Sequence, residues 1–200
     1  MERAGEGSGN RDHRSASAPE PWMRGKHGEL DVVRRAVVHA LELAEEDVAK
    51  WCGELSDAEM MARPGDIAPV AFHLRHIVRS LDRLLTYAEN RMLDEVQMRA
   101  LKTETDVVTA AEVLREFRDG ITSAKERVRA FSSESYEEFR GVGRQQLPTT
   151  VGGLLIHCAE HTARHVGQAV TTAKIVGTAS KTYGAQESGP FGDVTKHPRS

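Results

Sequence analysis

Apolar side chains recur at intervals of three and four residues in four long segments of this chain, and this pattern constrains the fold more than any other feature. Such spacing places the apolar side chains on one face of an α-helix, which must be buried against other elements. The predicted helices run over roughly residues 29–52, 68–90, 109–131 and 150–176. No stretch shows sustained alternation of apolar and polar residues, so no sheet is predicted. We therefore predict an all-α four-helix bundle, whose long connections at 91–108 and 132–148 leave the topology open.

Local signals place several helix ends. Capping boxes are predicted at Ser56–Glu59 and Thr109–Glu112, where a hydroxyl side chain precedes a glutamate by three residues. Pro69 suits the first turn of the second long helix, where a missing N–H costs little. Gly120 is expected to weaken the third helix by about 1 kcal/mol relative to alanine, which allows a local bend. Gly177 is a natural stop for the last helix.

The chain length of 200 residues fits one domain with tails. Residues 1–20 have almost nothing to bury and are predicted to be a disordered tail, and residues 177–200 are predicted to be a flexible C-terminal tail. The bundle is therefore assigned to residues 21–176. Trp22 and Phe191 are the large apolar residues near the two ends that are able to pack on it.

Charge and cysteine content exclude several classes of protein. The net charge is −3, with acidic and basic residues mixed along the chain, which argues against a nucleic-acid partner. Cys52 and Cys158 are too few for a disulfide framework and are predicted to be buried thiols. No apolar run reaches the roughly 18 residues of a membrane span, and no signal peptide is evident. We predict a cytoplasmic protein without a membrane partner.

Histidines are concentrated in two of the helical segments. His157, His161 and His165 recur every fourth residue, and residues four apart lie on the same helix face. Relative to the core position Cys158, His165 lies about 20° away, His161 about 60° and His157 about 100°, so His157 is nearest to solvent. Two stacked imidazoles are able to share a divalent cation, although a buried histidine is more often a hydrogen-bonded core residue.

A second pair of histidines, His73 and His76, lies in the second predicted helix. Measured from Ile77, His73 lies about 40° away and His76 about 100° away, so periodicity slightly favours His73 as the inward residue. A structural zinc site with four protein ligands usually contains cysteine, whereas three histidines and a water form an open site of the catalytic type. The residues alone leave open which of the two completes such a site.

Two motifs resemble the DinB-like superfamily, which includes YfiT-like proteins. The motifs are the segment 69–80, which contains His76 followed by Ile77, and the segment 161–168 with its two histidines four residues apart and a final Gly–Gln pair. The resemblance covers roughly residues 21–176. It implies a four-helix bundle with a divalent metal ion (zinc, nickel or iron) near one end, and many members of the family are homodimers.

The resemblance also implies the metal ligands, which become His76, His161 and His165. His73 falls where relatives tend to carry an aliphatic residue, in mild conflict with the periodicity. We follow the motif, because helix rotation estimated from sequence is uncertain by tens of degrees.

Relatives in this superfamily include thiol S-transferases that use bacillithiol or mycothiol, a mycothiol-dependent maleylpyruvate isomerase, and hydrolases. The resemblance thus implies a metal-dependent enzyme of thiol S-transferase or hydrolase type, with a low-molecular-weight thiol and a small electrophile as partners. A metal-bound thiol or water becomes a nucleophile near neutral pH. Trp22 and the 91–108 connection are expected to shape the pocket.

Gln168 is a candidate to contact the substrate or a ligand ring, and the weaker candidates are Arg75, Arg164 and Glu160. No separate catalytic acid or base is evident, so the catalytic residues are left unassigned. One alternative is a metal-binding or stress-response bundle without turnover. Another is an interaction module whose histidines are structural.

Overall fold

Six helices and one small sheet make up the computed structural model, which describes residues 18–187, with side chains described for residues 18–178. The α-helices are α1 (Val32–Cys52), α2 (Asp57–Met61), α3 (Val70–Ala88), α4 (Glu95–Ala100), α5 (Ala110–Ala130) and α6 (Val151–Glu187). Single 3₁₀ turns occur at Pro21–Met23, Pro64–Asp66 and Ser133–Ser135. The prediction of a mostly helical chain is confirmed, but two short helices, α2 and α4, accompany the four long ones.

The prediction that the chain contains no sheet is wrong. Strands β1 (Phe139–Val142) and β2 (Leu147–Thr150) form an antiparallel hairpin in the connection between α5 and α6. Gly143, at φ +69°, opens the turn with a backbone conformation that glycine adopts without strain. Pro148 lies within β2, which a two-stranded sheet tolerates because each strand has one unpaired edge. Each strand has only four residues, too few for alternation to be recognisable.

The four long helices share one core. α3 packs against both α5 and α6, and α1 also contacts these two helices. The largest fully buried side chains come from all four long helices and from α2: Leu41, Met60, Leu74, Ile77, Leu81, Leu85, Phe117, Ile121 and Leu155. The three- and four-residue periodicity thus predicted correctly which helix faces are buried.

Both cysteines are buried and unpaired, as predicted. Burial raises the pKa of the Cys52 thiol to about 11 and that of the Cys158 thiol to about 12. The thiolate is the reactive form of cysteine, so neither side chain is a nucleophile at neutral pH. Any thiol chemistry of this protein must use a thiol from outside the chain.

Both predicted capping boxes are present, at Ser56–Glu59 and Thr109–Glu112. The predicted end of the last helix at Gly177 is wrong, because α6 continues to Glu187. A glycine inside a helix costs only about 1 kcal/mol, and the alanines and lysine that follow are good helix formers.

The predicted tails are only partly described. Residues 1–17 and 188–200, including Phe191, lie outside the described residues. In the Pro21–Met23 turn, Pro21 is the buried residue and Trp22 is 62 % exposed, so Trp22 does not pack into the core. Among residues 18–187, no helix is both long enough and apolar enough to cross a membrane.

Candidate metal centre

His76 on α3 and His161 and His165 on α6 meet where these two helices pack together. One ring nitrogen of each lies within 4.8 Å of one ring nitrogen of each of the other two. The ring centroids are 5.0 Å apart for His76 and His161, 4.6 Å for His76 and His165, and 4.5 Å for His161 and His165. All three residues are half-buried. We call these three residues the histidine triad.

The local sequence explains this convergence. His161 and His165 lie one helical turn apart on α6, so their side chains project from the same face. His76 is followed by Ile77, which is fully buried, so His76 lies at the edge of the core. Because α3 packs against α6, its edge residue reaches the paired imidazoles. Two residues from one helix and one from another thus form a three-sided site.

Glu104 holds the His76 ring through its Nδ1 atom. His76 Nδ1 donates a hydrogen bond to Glu104 Oε2 over 2.8 Å. Burial opposes the ionisation of Glu104, but this hydrogen bond and the charges of His76 and Arg83 outweigh it and lower the pKa of the carboxyl. With Nδ1 occupied, the imidazole of His76 presents Nε2 as its free donor atom, the arrangement usual for histidines that bind metals.

Sequence reasoning missed Glu104. It lies in the 91–108 connection, 28 residues after His76, and no periodicity links the two. The only indication of Glu104 in the sequence was the expectation that the 91–108 connection shapes the pocket.

Two further side chains restrain His76. Phe72, one turn earlier on α3, stacks on the imidazole with ring centroids 5.3 Å apart and an interplanar angle of 14°. Ser80 Oγ lies 3.5 Å from His76 Nε2, at the limit of a hydrogen bond, and accepts a shorter bond of 2.9 Å from Arg83. The ring is therefore oriented while its Nε2 has no strong partner.

His73 is the more buried histidine of α3, at 4 % exposure, which confirms the direction that periodicity gave. It does not belong to the triad. Its Nδ1 lies 3.1 Å from His165 Nδ1, so one of the two nitrogens donates to the other. Burial, followed by the neighbouring His165 and His76, lowers the pKa of His73 to about 4. A neutral His73 therefore holds the His165 ring as Glu104 holds the His76 ring.

The triad residues on α6 are also held neutral. Burial, followed by His165 and His76, lowers the pKa of His161 to about 4, and burial followed by His76 and Arg164 lowers the pKa of His165. His161 Nε2 is buried and has no hydrogen-bond partner among the described residues. An unpaired buried nitrogen is costly, and neutral imidazole is the form that binds a cation. The donor set and this unpaired nitrogen both fit a divalent transition metal.

A sequence model of the DinB superfamily matches residues 40–169, which include all three triad histidines and Glu104. The chain belongs to the DinB superfamily. No curated protein and no solved structure gives a significant match to the chain. The family resemblance noted in the sequence is thereby confirmed.

In this DinB superfamily protein, a groove opens at His73, the residue that contacts His165, although no triad histidine lines the groove. Its volume is about 400 Å³, and it is lined by Ile67, Ala68, His73, Arg164, Gly167, Gln168, Thr171 and Thr172. Gln168 and Arg164, two of the residues singled out in the sequence, therefore lie beside His73 in one concave surface. The groove combines an apolar wall with one cationic and several uncharged polar groups.

The other residues considered in the sequence lie outside both the triad and this groove. Arg75 is buried and directs its guanidinium to Glu116 and to the backbone carbonyl of Asp106, so its role is structural. Glu160 is exposed and lies 3.7 Å from His157. His157 itself is half-exposed and outside the triad, as its angular position predicted. Trp22 lines a different groove, with His39 and Leu43.

Proposed function

We propose that this protein is a metal-dependent enzyme of the DinB superfamily, of thiol S-transferase type, whose divalent cation is held by His76, His161 and His165. The observation that carries the proposal is the convergence of three half-buried imidazoles within 4.8 Å. Imidazole suits zinc, nickel and iron, and three protein ligands leave a coordination position open. The four long helices would then be the bundle typical of this superfamily.

The metal chemistry is supplied by the cation when bound, which lowers the pKa of a thiol or water in its open position. The protein contributes orientation. Glu104 keeps the proton of His76 on Nδ1, and His73 engages His165 Nδ1, so Nε2 is the nitrogen of each ring that is left for a metal ion. Phe72 limits rotation of the His76 ring.

The groove at His73, which reaches the triad only through the contact of His73 with His165, supports a thiol substrate rather than water alone. Its volume of about 400 Å³ is that of a small-molecule site. Arg164 provides a positive charge for a carboxylate, Gln168 provides hydrogen bonds, and Ile67 provides an apolar wall. Low-molecular-weight thiols carry such carboxylate and polar groups. Since the protein's own cysteines are buried, the thiol would enter as a substrate and attack a small electrophile.

The test begins with metal content, measured by mass spectrometry on protein purified without chelator. The variant His161→Ala/His165→Ala should lose one equivalent of metal relative to wild type. His157→Ala removes a histidine from the same helix outside the triad and should keep the metal. A double variant with unchanged metal content would refute the assignment of these ligands.

Activity is then assayed with 1-chloro-2,4-dinitrobenzene and a panel of thiols that includes mycothiol, bacillithiol and glutathione. Metal-loaded wild type should accelerate conjugation with at least one thiol, and the double variant should not. Gel filtration with light scattering on the same samples tests the homodimer that we propose from the family.

A second candidate function is metal binding without turnover. The observation that favours it is that Glu104, the carboxylate in contact with the triad, is already engaged by His76 and Arg83. It is therefore not available as a general base. Stoichiometric metal in the wild type, with no thiol-dependent and no hydrolytic activity, would support this function over the first.

A further inference from the structure

A second group of metal-ligating side chains lies on α1 and in the segment that precedes it. It consists of His27, His39 and Glu42, whose candidate ligand atoms all lie within 4.8 Å of one another. His27 Nε2 is 2.8 Å from Glu42 Oε1, and the rings of His27 and His39 have centroids 5.6 Å apart. We propose that these three residues bind a second divalent cation of the zinc type. We call them the N-terminal cluster.

Two elements build the N-terminal cluster. His39 and Glu42 lie three residues apart on α1 and so share a face of that helix. His27 comes from the segment before α1, where its carbonyl accepts a hydrogen bond from the backbone N–H of Leu30. One turn further along α1, Glu46 binds Arg24 of the same segment with both carboxylate oxygens. The segment is thus held against α1 in the position that the cluster requires.

His27 has a left-handed backbone conformation, with φ of +62°. Residues other than glycine adopt this region infrequently, because Cβ approaches the following carbonyl group, although asparagine, aspartate and histidine do so more often than the rest. Such strain persists only where the surrounding structure holds it, and it often marks a functional position. At this position it accompanies a side chain whose nitrogen meets Glu42.

His39 supplies the observation that an ion pair between His27 and Glu42 does not explain. Its side chain is more than nine-tenths buried, and its Nε2 has no hydrogen-bond partner among the described residues. A buried polar atom without a partner is destabilising and calls for an explanation such as an ion. A cation bound between the two imidazoles and the carboxylate would give the buried His39 imidazole a partner.

The donor set indicates the class of cation. Two imidazoles and one carboxylate are a known combination for zinc, whereas magnesium and calcium prefer oxygen ligands throughout. His39 also lines a groove of about 390 Å³ with Trp22 and Leu43, which gives water and ions access from solvent. The cation would then fasten the segment before α1 to the helix through His27.

This cluster is independent of the histidine triad. The DinB superfamily match begins at residue 40, so His27 and His39 precede the matched residues. The proposal therefore does not depend on the proposed function, and the two are tested separately.

The experiment measures zinc binding by equilibrium dialysis and mass spectrometry in the His161→Ala/His165→Ala background, which lacks two of the three triad histidines. We expect about one zinc per chain to remain. Adding His39→Leu should weaken that binding by more than about 100-fold, since even outer partners of metal ligands contribute 10–100-fold. Glu42→Gln preserves size and hydrogen bonding and should weaken it similarly, so the test survives a folding defect in the leucine variant.

Glu45→Gln is the matched control, because it removes a glutamate charge from the same helix at an ion pair with Lys125, outside the N-terminal cluster, and should retain zinc. A background variant that binds no zinc would overturn the proposal, as would zinc binding that persists in both ligand variants. In the otherwise native chain, loss of the N-terminal cluster should lower the zinc content by one equivalent. Amide exchange of residues 24–30 should slow at least tenfold with zinc in the native chain and not in Glu42→Gln.

Discussion

At the scale of single residues, Glu104 makes the contact with the most direct chemical consequence. It accepts the Nδ1 proton of His76 and is itself held by Arg83. The variant Glu104→Gln keeps the size of the side chain but removes the charge that fixes the ring. We expect metal affinity at the triad to fall about 10–100-fold, the usual effect of losing such a partner. Isothermal titration calorimetry with zinc in a His39→Leu background measures this without the N-terminal cluster.

The matched control for this measurement is Glu95→Gln, which removes a glutamate charge at an exposed ion pair with Arg99. It should leave zinc affinity unchanged. Equal affinities for Glu104→Gln and the control would mean that Glu104 does not orient the ring.

Asp31, the N-cap of α1, predicts how stability depends on pH. Its carboxylate accepts hydrogen bonds from the backbone of Val33 and Arg34, from Tyr136 Oη over 2.7 Å, and from the Arg34 side chain. Burial opposes its ionisation, but the bonds from Tyr136 and Arg34 outweigh this and lower the pKa to about 2. Because the folded pKa is below the unfolded one, the stabilisation is complete above about pH 4 and is lost as the pH falls toward 2.

Asp31→Asn should therefore be less stable than wild type near neutral pH by about 1 kcal/mol or somewhat more, since asparagine caps well but loses the charged bonds. Urea unfolding at pH 7, 4 and 2.5 measures the difference, which should shrink toward the lowest pH. A difference that stays constant over this range would mean that the Asp31 charge contributes nothing.

Single residues also show which parts of the site could be predicted from the sequence and which could not. His161 and His165 were identifiable because one helix carries both at a fixed spacing, and His76 because a family motif marks it. Glu104 and the His73 contact with His165 depend on how separate segments pack, and no local pattern encodes this. His27 and His39 were missed for the same reason, since each is isolated in the sequence.

At the scale of elements, Gly120 shows how packing overrides helix propensity. It lies within α5, and a Cβ added there would come within 2.4 Å of Val78 Cβ on α3. Gly120→Ala should therefore destabilise the protein by about 1–3 kcal/mol through overpacking, although alanine favours the helix by about 1 kcal/mol. Urea unfolding of the variant and the wild type shows whether the free energy of unfolding falls or rises.

Two further variants separate the effect of overpacking from that of helix propensity. Adding Val78→Ala to Gly120→Ala makes room for the new methyl group, so the double variant should be more stable than the sum of the single effects. Gly167→Ala on α6 has no atom within 4 Å of the added Cβ and should stabilise by about 0.5–1 kcal/mol. Gly120→Ala that stabilises as much as Gly167→Ala would disprove the close contact.

Element boundaries followed from sequence only where the signal was local. The boxes at Ser56–Glu59 and Thr109–Glu112 involve four consecutive residues, and both are present. The hairpin of β1 and β2 was missed because each of its strands has only four residues. The extension of α6 beyond Gly177 was missed because a single glycine tolerated inside a helix looks the same in sequence as one that ends it.

At the scale of the whole molecule, a cation in the triad would link α3 to α6, and these two helices carry much of the core. A ligand that binds only the folded state adds about 2.7 kcal/mol of stability at a concentration 100 times its Kd. For a chain of this size each kcal/mol raises Tm by about 2–4 °C, so zinc at that concentration should raise Tm by about 5–10 °C.

Calorimetry on the His39→Leu protein, with zinc or with chelator, measures the effect of the triad without the N-terminal cluster. The shift should vanish when His161→Ala is added and persist with His157→Ala, because only the former removes a link between the helices. Equal shifts in these two proteins would place the stabilising cation outside the triad.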